Sequence, residues 1–291
     1  MKKYTYPLLL FLTSFIWGFA FVSQSQATGT MGPLLYNGIR MLLGFLVLLP
    51  LLIISLKKKN SAYIKSVIKD GIICGLILGT ASFFQQKGIE YTTAGKAGFI
   101  TSLYILIVPL FSIVLGNKIT KRVWLCVVLG LVGAFLLSFS GEGTINKGDA
   151  LVIISAIFFA LHILYVDKNG KSYSGADLSC IQFFFAGSIA TLLSFIFESP
   201  TIISIKASLL PLLYGGIGSC GIAYTLQIVG QKHVEPTKAT LILSLESVWA
   251  VVGGLIILNE EMKTVEIIGC IILFFSVLFA QLPEKKANPS S

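Results

Sequence analysis

The chain of 291 residues is 55% hydrophobic and only 12% charged, with a formal net charge of +9 and a mean hydropathy of +0.87. Soluble proteins carry about 25% charged residues, so this composition leaves too little polar surface for a water-soluble globule and predicts a protein embedded in lipid. The five cysteines all lie in apolar runs, which favours buried thiols over a disulfide framework.

Apolar runs of membrane length follow one another along the whole chain. A helix needs about 20 apolar residues to cross a hydrocarbon core about 30 Å thick. The breaks between the runs are short and leave no room for a soluble domain, and the first run lacks a convincing cleavage site and is interpreted as a retained helix. The predicted fold is therefore all-α integral membrane with ten transmembrane helices, at 5–26, 33–56, 68–87, 93–115, 122–139, 148–167, 178–197, 209–230, 236–258 and 265–282.

The basic residues are divided unevenly between the two sets of loops, and basic residues concentrate on the cytoplasmic side. We therefore predict that both termini are cytoplasmic, with residues 283–291 as a cytoplasmic tail, and the basic charge then requires no nucleic-acid partner. The poorly basic loops hold Lys87, Lys147, Lys206 and Lys263, among acids such as Glu90, Glu142, Asp149, Glu198, Glu260 and Glu261. The basic loops and termini hold Lys2, Lys3, Lys57, Lys58, Lys59, Lys65, Lys69, Lys118, Lys121, Arg122, Lys168, Lys171, Lys232, Lys285 and Lys286.

The segment 85–103 resembles the segment 227–245 at a constant offset of 142 residues (238 − 96 = 142). Each half of the chain has an odd number of predicted spans, so the second half would be inverted relative to the first. Inverted repeats are typical of secondary transporters, whose binding site lies near the membrane midplane between the halves. The matched pairs are Gly79 with Gly221, Ala81 with Ala223, Gln85 with Gln227, Gly88 with Gly230, Lys96 with Lys238, Ala97 with Ala239, Ser102 with Ser244 and Leu103 with Leu245.

Glu246 lies near the middle of the apolar stretch TLILSLESVWAVVGGLIIL, and the offset places it opposite Tyr104. A charge at the centre of a membrane helix costs about 2.5–3.5 kcal/mol on insertion scales. The carboxyl group can carry a proton, bind a substrate amino group or a nearby lysine, or form only a structural hydrogen bond between helices. A phenol on one wall and a carboxyl on the other predict a ligand site between the halves.

Three segments, FIWGFAFV (15–22), GDALVIISAIFFALHILYVDK (148–168) and GQKHVEPTKATLILSLESVWA (230–250), resemble the drug/metabolite transporter superfamily, specifically its EamA-type bacterial members. The resemblance covers essentially the whole chain and implies two five-helix repeats, at 1–140 and 148–282. It also implies a bacterial inner-membrane protein that transports small metabolites, often outward. The family is broad in substrate, so the resemblance does not choose one.

Other polar residues within the spans have a functional and a structural interpretation. Lys96 and Lys238 begin pseudo-equivalent helices, where each could meet an anionic substrate group or extend to the lipid headgroups. Arg40 could pair with a carboxylate of the protein or of the substrate, although its shallow position suits a structural anchor equally well. His162 could relay protons or contact the substrate, but a lone histidine on an apolar helix often only packs and hydrogen-bonds.

Aromatic and amide side chains complete the candidate pathway, and such a pocket suits amino acids or other amphipathic metabolites. Most aromatic residues will simply pack or lie at the membrane interfaces. The glycines Gly71, Gly75 and Gly79 predict a close-packing helix face. The candidate pathway residues are Trp17, Gln85, Tyr104, Tyr224, Gln227 and Trp249, beside Gln86 and Phe99.

The sequence therefore predicts a secondary transporter, most readily an exporter of amino acids or related compounds, whose partners are a small-molecule substrate and the lipid bilayer. No cofactor or metal is implied, because no second histidine or cysteine stands at metal-ligand spacing. Import or exchange of nucleosides or sugar derivatives is the first alternative. A membrane-embedded enzyme lacks a catalytic grouping, and a scaffold lacks a soluble domain. A homodimer is left open.

Overall fold

The computed structural model describes residues 2–116, 118–137, 146–259 and 263–282, and the regular secondary structure in these ranges is helical. The helices before residue 138 are α1 (Lys2–Ala27), α2 (Pro33–Leu56), α3 (Ser61–Ile89), α4 (Ala94–Thr101), α5 (Tyr104–Val114) and α6 (Lys121–Leu137). Those after residue 145 are α7 (Lys147–Asn169), a 3₁₀ turn (Gly170–Ser172), α8 (Gly175–Phe197), α9 (Ile202–Ala207), α10 (Leu209–Leu213), a π-helix (Tyr214–Tyr224), α11 (Thr225–Gln231), α12 (Pro236–Leu243), α13 (Glu246–Ile257) and α14 (Thr264–Gln281).

Within the described ranges, nine helical segments are long and apolar enough to cross a membrane, when α4–α5, α10–α11 and α12–α13 each count as one. They correspond to nine of the ten predicted runs. The run predicted at 122–139 forms α6, which has 17 residues in the described part, so the count of ten stays a prediction. Outside the described residues lie the tail 283–291, with Lys285 and Lys286, and the loop acids Glu142, Glu260 and Glu261.

The N-terminus of α2 is stabilised by a proline in its first turn and by a carboxylate at the end of α8. Pro33 occupies the first turn, where its missing N–H removes no intrahelical hydrogen bond. The next two backbone N–H groups, of Leu34 and Leu35, donate to the two carboxylate oxygens of Glu198 at 2.8 and 2.9 Å. A carboxylate at a helix N-terminus also interacts favourably with the helix dipole. Glu198 at the end of α8 therefore anchors the start of α2.

Two of the membrane segments are interrupted at matching positions. Residues 102–103 separate α4 from α5, and residues 244–245 separate α12 from α13, which is the offset of 142 again (102 + 142 = 244). In each break the serine hydroxyl, of Ser102 or Ser244, donates to a backbone carbonyl three or four residues earlier at 2.8 Å. Serine hydroxyls bonded back in this way compete with the helical ladder and bend helices. The repeat thus extends from sequence to local backbone structure.

The helices pack in a reciprocal pattern. Helix α2 packs on α8 and α6 packs on α14, so two pairs of equivalent helices meet each other. Helix α3 packs on α7 and α8, while its counterpart, the segment Leu209–Gln231, packs on α1 and α2. A two-fold relation between the halves would produce this pattern, and the inverted orientation of the repeats stays a prediction.

The predicted glycine face of α3 is confirmed as a close helix contact. A Cβ atom on Gly71 would lie 2.5 Å from a side-chain atom of Ile181, and one on Gly75 would lie 2.7 Å from the carbonyl oxygen of Gln182. Both neighbours belong to α8. Small residues at such a contact let two backbones approach closely within a membrane.

Candidate functional site

A small cavity of about 30 Å³ lies between the two halves of the chain and is lined by both. It lies against the second half of α1 and the middle of α7 and beside the break between α12 and α13. The structure brings eight of the predicted site residues to its wall, namely Trp17, Arg40, Gln85, Tyr104, His162, Tyr224, Gln227 and Glu246. The other lining residues are Ala20, Phe21, Gln24, Thr101, Phe159, Ile163 and Ser219.

Glu246 and Tyr104 meet across the cavity wall. The Tyr104 hydroxyl donates to Glu246 Oε1 at 2.8 Å, and both side chains are buried. Each is the first residue of the helix that follows a break, so the matching interruptions bring the two together. Glu246 also benefits from its place in the first turn of α13, where a helix dipole favours a negative charge. The predicted pairing of phenol and carboxyl between the halves is therefore present.

Arg40 reaches the same cavity from α2 and is only 2% exposed. Its Nε donates to Asn37 Oδ1 at 2.8 Å. The Asn37 amide nitrogen in turn donates to the carbonyl oxygens of Pro33 and Ser82, at 2.9 and 3.0 Å. Asn37 thereby fixes the direction of the guanidinium group. In the described part of the chain, no ion pair is formed by Arg40 or by Glu246, although both line one cavity.

The remaining wall is aromatic, with one buried histidine. The Trp17 ring lies 4.6 Å from that of Tyr224, and the His162 ring meets Tyr224 edge to face at 6.0 Å. His162 Nε2 is 2.9 Å from Gln182 Oε1 of α8, so one of its two nitrogens is already hydrogen-bonded within the protein. Among described residues, three fully buried side-chain polar atoms at this cavity have no hydrogen-bond partner: Trp17 Nε1, Gln24 Oε1 and Gln227 Oε1.

Three predicted site residues lie away from the cavity. The Trp249 indole packs edge to face against Phe11 and Phe15 of α1, with ring centroids 5.9 and 5.0 Å away. Lys96 and Lys238 stand in the first turns of α4 and α12, about 9 Å along the helix from the breaks that border the cavity. Neither lysine is among the lining residues.

Lys96 forms an ion pair that joins two helices at one end of the protein. Its Nζ lies 2.7 Å from Asp149 Oδ2, and the Asp149 side chain is only 3% exposed while that of Lys96 is 25% exposed. Asp149 also accepts the Asn146 backbone N–H at 2.9 Å and the Thr92 hydroxyl at 3.2 Å. The pair therefore ties the start of α4 to the start of α7.

The opposite end is built differently. The offset places Pro7 at the position equivalent to Asp149 (149 − 142 = 7), so Lys238 has no matching acid in α1. Lys238 instead forms an ion pair at 3.1 Å with Glu235, which is 75% exposed and immediately precedes α12. A polar pocket of about 460 Å³ opens here between α5, α7 and the loop before α12, and Lys171, Lys232 and Lys238 contribute to its lining.

Several residues of the site were not predicted from the sequence. Gln24 could have been found, because it is an amide inside the last turns of an apolar run. Thr101 and Ser219 carry no such signal, since small hydroxyl residues are common in membrane helices. Asn37 and Gln182 act through their contacts with Arg40 and His162, which only the packing of α2 and α8 makes visible.

Comparisons with known proteins agree with this architecture. The model of the EamA-like transporter family matches the chain twice, over residues 5–139 and 146–281. An uncharacterized transporter of Archaeoglobus fulgidus is 29% identical over 287 residues, which cover 97% of this chain and 87% of that protein. The uncharacterized transporter YoaV of Bacillus subtilis is 23% identical over 269 residues, covering 89% of this chain and 90% of that protein.

A more distant relative and a solved structure extend the comparison. A WAT1-related protein of Arabidopsis thaliana is 31% identical over 153 residues, which cover 50% of this chain and 41% of that protein. One solved crystal structure superposes with a TM-score of 0.76 at 18% identity, covering 95% of this chain and 96% of the other. At that identity the likeness shows a shared fold and nothing about substrate.

Proposed function

We propose a substrate class and a transport cycle for this chain, which belongs to the EamA-like transporter family and is a multi-pass membrane transporter. In our proposal it is a secondary transporter that exports small zwitterionic metabolites, amino acids or related compounds, across a bacterial inner membrane, with both termini in the cytoplasm. The observation that carries the substrate class is a buried guanidinium group, of Arg40, and a buried carboxyl group, of Glu246, that line one cavity without forming an ion pair with each other.

An ionised group that is buried without an ion-pair partner, as Arg40 is within the described residues, calls for compensation. Removing a charged group from water costs several kcal/mol even after relaxation, on the order of the whole stability of a small domain, unless a partner charge is supplied. The planar guanidinium of Arg40 suits a carboxylate, which it can bind through two parallel hydrogen bonds. Glu246 has carboxylate acceptor capacity beyond its bond to Tyr104 and suits an ammonium group. A zwitterion supplies both partners at once.

The aromatic wall fits the rest of such a substrate. Trp17 and Tyr224 line the same cavity as Arg40 and Glu246, and an ammonium group over an aromatic face gains about 0.5–2 kcal/mol. Apolar side chains of a substrate would pack on the same rings. An anion with two or more charges, such as a sugar phosphate, would find only one arginine in the lining.

The small size of the cavity supports a transport cycle with a closed intermediate. Ligand pockets for small molecules usually measure about 300–1,000 Å³, whereas this cavity measures about 30 Å³. The substrate therefore enters only when the halves move apart. In our proposal the halves rock against each other about the breaks at 102–103 and 244–245, as inverted repeats do in other transporters. The Lys96–Asp149 pair closes the end away from the cytoplasm.

A ligand-binding experiment on the purified protein tests the substrate class. Thermal unfolding is measured with leucine, with leucinamide, which lacks the carboxylate, and with 4-methylpentanoic acid, which lacks the amine, and then with the same set for other side chains. We expect at least one zwitterion to stabilise the protein and its two truncated analogues to do so only at about 10- to 100-fold higher concentration, the loss expected for one charged hydrogen bond. Equal stabilisation by a zwitterion and both of its analogues, or stabilisation only by nucleosides or sugars, would contradict the proposal.

A further inference from the structure

The two halves of the cavity differ at one pair of equivalent glutamines. Gln85 and Gln227 are related by the offset of 142, both line the cavity, and they are 5% and 1% exposed. The Gln85 amide nitrogen donates to the Thr101 hydroxyl at 3.1 Å. The position equivalent to Thr101 is Leu243 (101 + 142 = 243), which has no hydroxyl group. Within the described residues, Gln227 Oε1 has no hydrogen-bond partner.

We propose that Gln227 is a specificity-determining residue whose side-chain oxygen accepts a hydrogen bond from the transported molecule, while the side chain of Gln85 is held in place by the bond from its amide nitrogen to Thr101. This inference rests on the proposed function, since it adds a second polar contact for the ammonium end of a zwitterion. An ammonium group has three N–H donors. Glu246 and Gln227 Oε1 are both acceptors on the wall that the second half supplies, and they can take two of the three.

The burial of Gln227 is what makes a ligand role the stronger interpretation. Buried polar groups in folded proteins are almost always hydrogen-bonded, so an unpartnered amide at a cavity wall calls for a partner from outside the chain. The cavity of about 30 Å³ has room for roughly one water molecule. That water would satisfy the amide between transport events, and the substrate would displace it and take over its hydrogen bond.

The loss of the threonine also explains how a nearly symmetric cavity can bind an asymmetric molecule. If both halves presented the same free amides, a zwitterion could bind in either direction with similar affinity. Thr101 fixes the amide nitrogen of Gln85 on one side, whereas Leu243 has no hydroxyl group to fix that of Gln227 on the other. The unpartnered Gln227 oxygen comes from the same half of the chain as Glu246, so one half supplies two acceptors for an ammonium group. The carboxylate end is then left to Arg40, on the opposite half.

The test measures KM and maximal rate in proteoliposomes, and unfolding temperature, for paired variants with a zwitterion that the wild-type protein transports. We expect Gln227→Leu to raise KM by about tenfold, the effect of one hydrogen bond to a charged group, without lowering the unfolding temperature. Gln85→Leu should lower the unfolding temperature and change KM by less than about threefold, since the Gln85 amide nitrogen bonds to Thr101 within the protein.

A second pair of variants keeps the glutamine and changes only its partner. Leu243→Thr should raise KM, because the new hydroxyl can donate to Gln227 Oε1 and occupy the acceptor that the substrate ammonium group uses. Leu241→Thr, on the same helix α12 and equally buried but equivalent to Phe99 rather than to Thr101 (241 − 142 = 99), is the matched control and should leave KM unchanged.

The outcomes separate the two levels of the proposal. If Gln227→Leu and Gln85→Leu raise KM equally, or if Gln227→Leu lowers only the maximal rate and the unfolding temperature, the inference about Gln227 is wrong while zwitterion transport stands. If the wild-type protein neither binds nor moves any zwitterion, the proposed function fails and this inference fails with it.

Discussion

Replacing Asp149 by asparagine removes the charge that ties α4 to α7 and should shift the protein toward a state open at that end. Asparagine keeps a side-chain oxygen for the Asn146 backbone N–H, so the change isolates the ion pair. Exposed ion pairs contribute about 0–1 kcal/mol, and breaking a buried one costs about 3–5 kcal/mol. With one partner 3% and the other 25% exposed, we expect about 2 kcal/mol, which is roughly a 30-fold change in the ratio of open to closed protein.

The assay is the labelling rate of a single introduced cysteine. Ala97→Cys, in a background whose five native cysteines are replaced by serine, places a thiol at a fully buried position one residue beyond Lys96. A membrane-impermeant thiol reagent is added from the side of the loop at 90–93. We expect Asp149→Asn to raise the labelling rate by about 30-fold, in proportion to the open population.

A matched control lies at the same end of the protein. Lys87 and Glu90 form an ion pair at 2.6 Å within a single helix and its cap, so Glu90→Gln breaks a pair that joins no two helices. It should leave the labelling rate unchanged. Equal labelling of the Asp149→Asn protein and its parent, or equal increases with Asp149→Asn and Glu90→Gln, would refute the idea that the Lys96–Asp149 pair holds this end closed.

Further predictions concern helix packing and the cationic side of the cavity. Gly18→Ala should strongly lower the unfolding temperature, because its Cβ would lie 2.1 Å from the Cβ of Trp249, whereas Gly79→Ala, whose nearest neighbour would be 3.4 Å away, should be tolerated. If both proteins unfold alike, the α1–α13 contact is looser than described. Arg40→Lys should raise KM for a zwitterion by about tenfold, since lysine cannot form the two-pronged contact with a carboxylate. Asn37→Ala should also raise KM, but by less, because Asn37 only orients Arg40. An unchanged KM in both variants would show that Arg40 does not bind the substrate.

The membrane segments could be predicted from the sequence because length and hydropathy alone determine them. The offset of 142 also had a clear basis, since polar matches such as Lys96 with Lys238 rarely recur by chance at one spacing. That offset correctly placed Tyr104 opposite Glu246, and the two side chains are hydrogen-bonded in the structure. These features depend on local sequence or on a repeated pattern, and both can be read directly.

The rest depends on packing that local sequence does not encode. The breaks at 102–103 and 244–245 contain neither proline nor glycine, and serine is too common in membrane helices to predict a break. Arg40 was predicted to lie at a shallow depth because it is close to the start of the run 33–56. It lies about 10 Å along α2 from Pro33, and the packing of the other helices brings the cavity to that depth. Asp149 gave no sign of its partner, because only the approach of α4 to α7 shows it.

The broken symmetry at the glutamines marks the limit of a repeat-based prediction. The offset treats Gln85 and Gln227 as equivalent, and both were predicted to line the pathway. The difference between them comes from Thr101, which accepts the Gln85 amide N–H, and from Leu243, which has no hydroxyl group at the equivalent position. The sequence alone does not reveal this difference, because the hydrogen bond between Gln85 and Thr101 is visible only in the folded chain.

The most direct test of the whole account is counterflow and gradient-driven uptake in proteoliposomes, with a panel of amino acids, for the wild-type protein and for Glu246→Gln. We predict that at least one zwitterionic amino acid is transported by the wild-type protein and that Glu246→Gln abolishes its recognition, with or without an imposed pH gradient, because the carboxylate holds the substrate ammonium. If the variant still equilibrates the compound and loses only its pH-driven accumulation, Glu246 carries the coupled proton rather than the substrate. If Glu246→Gln transports the same compound with the same KM and rate as the wild type, or if no amino acid moves at all, the proposed zwitterion site at Arg40 and Glu246 is contradicted.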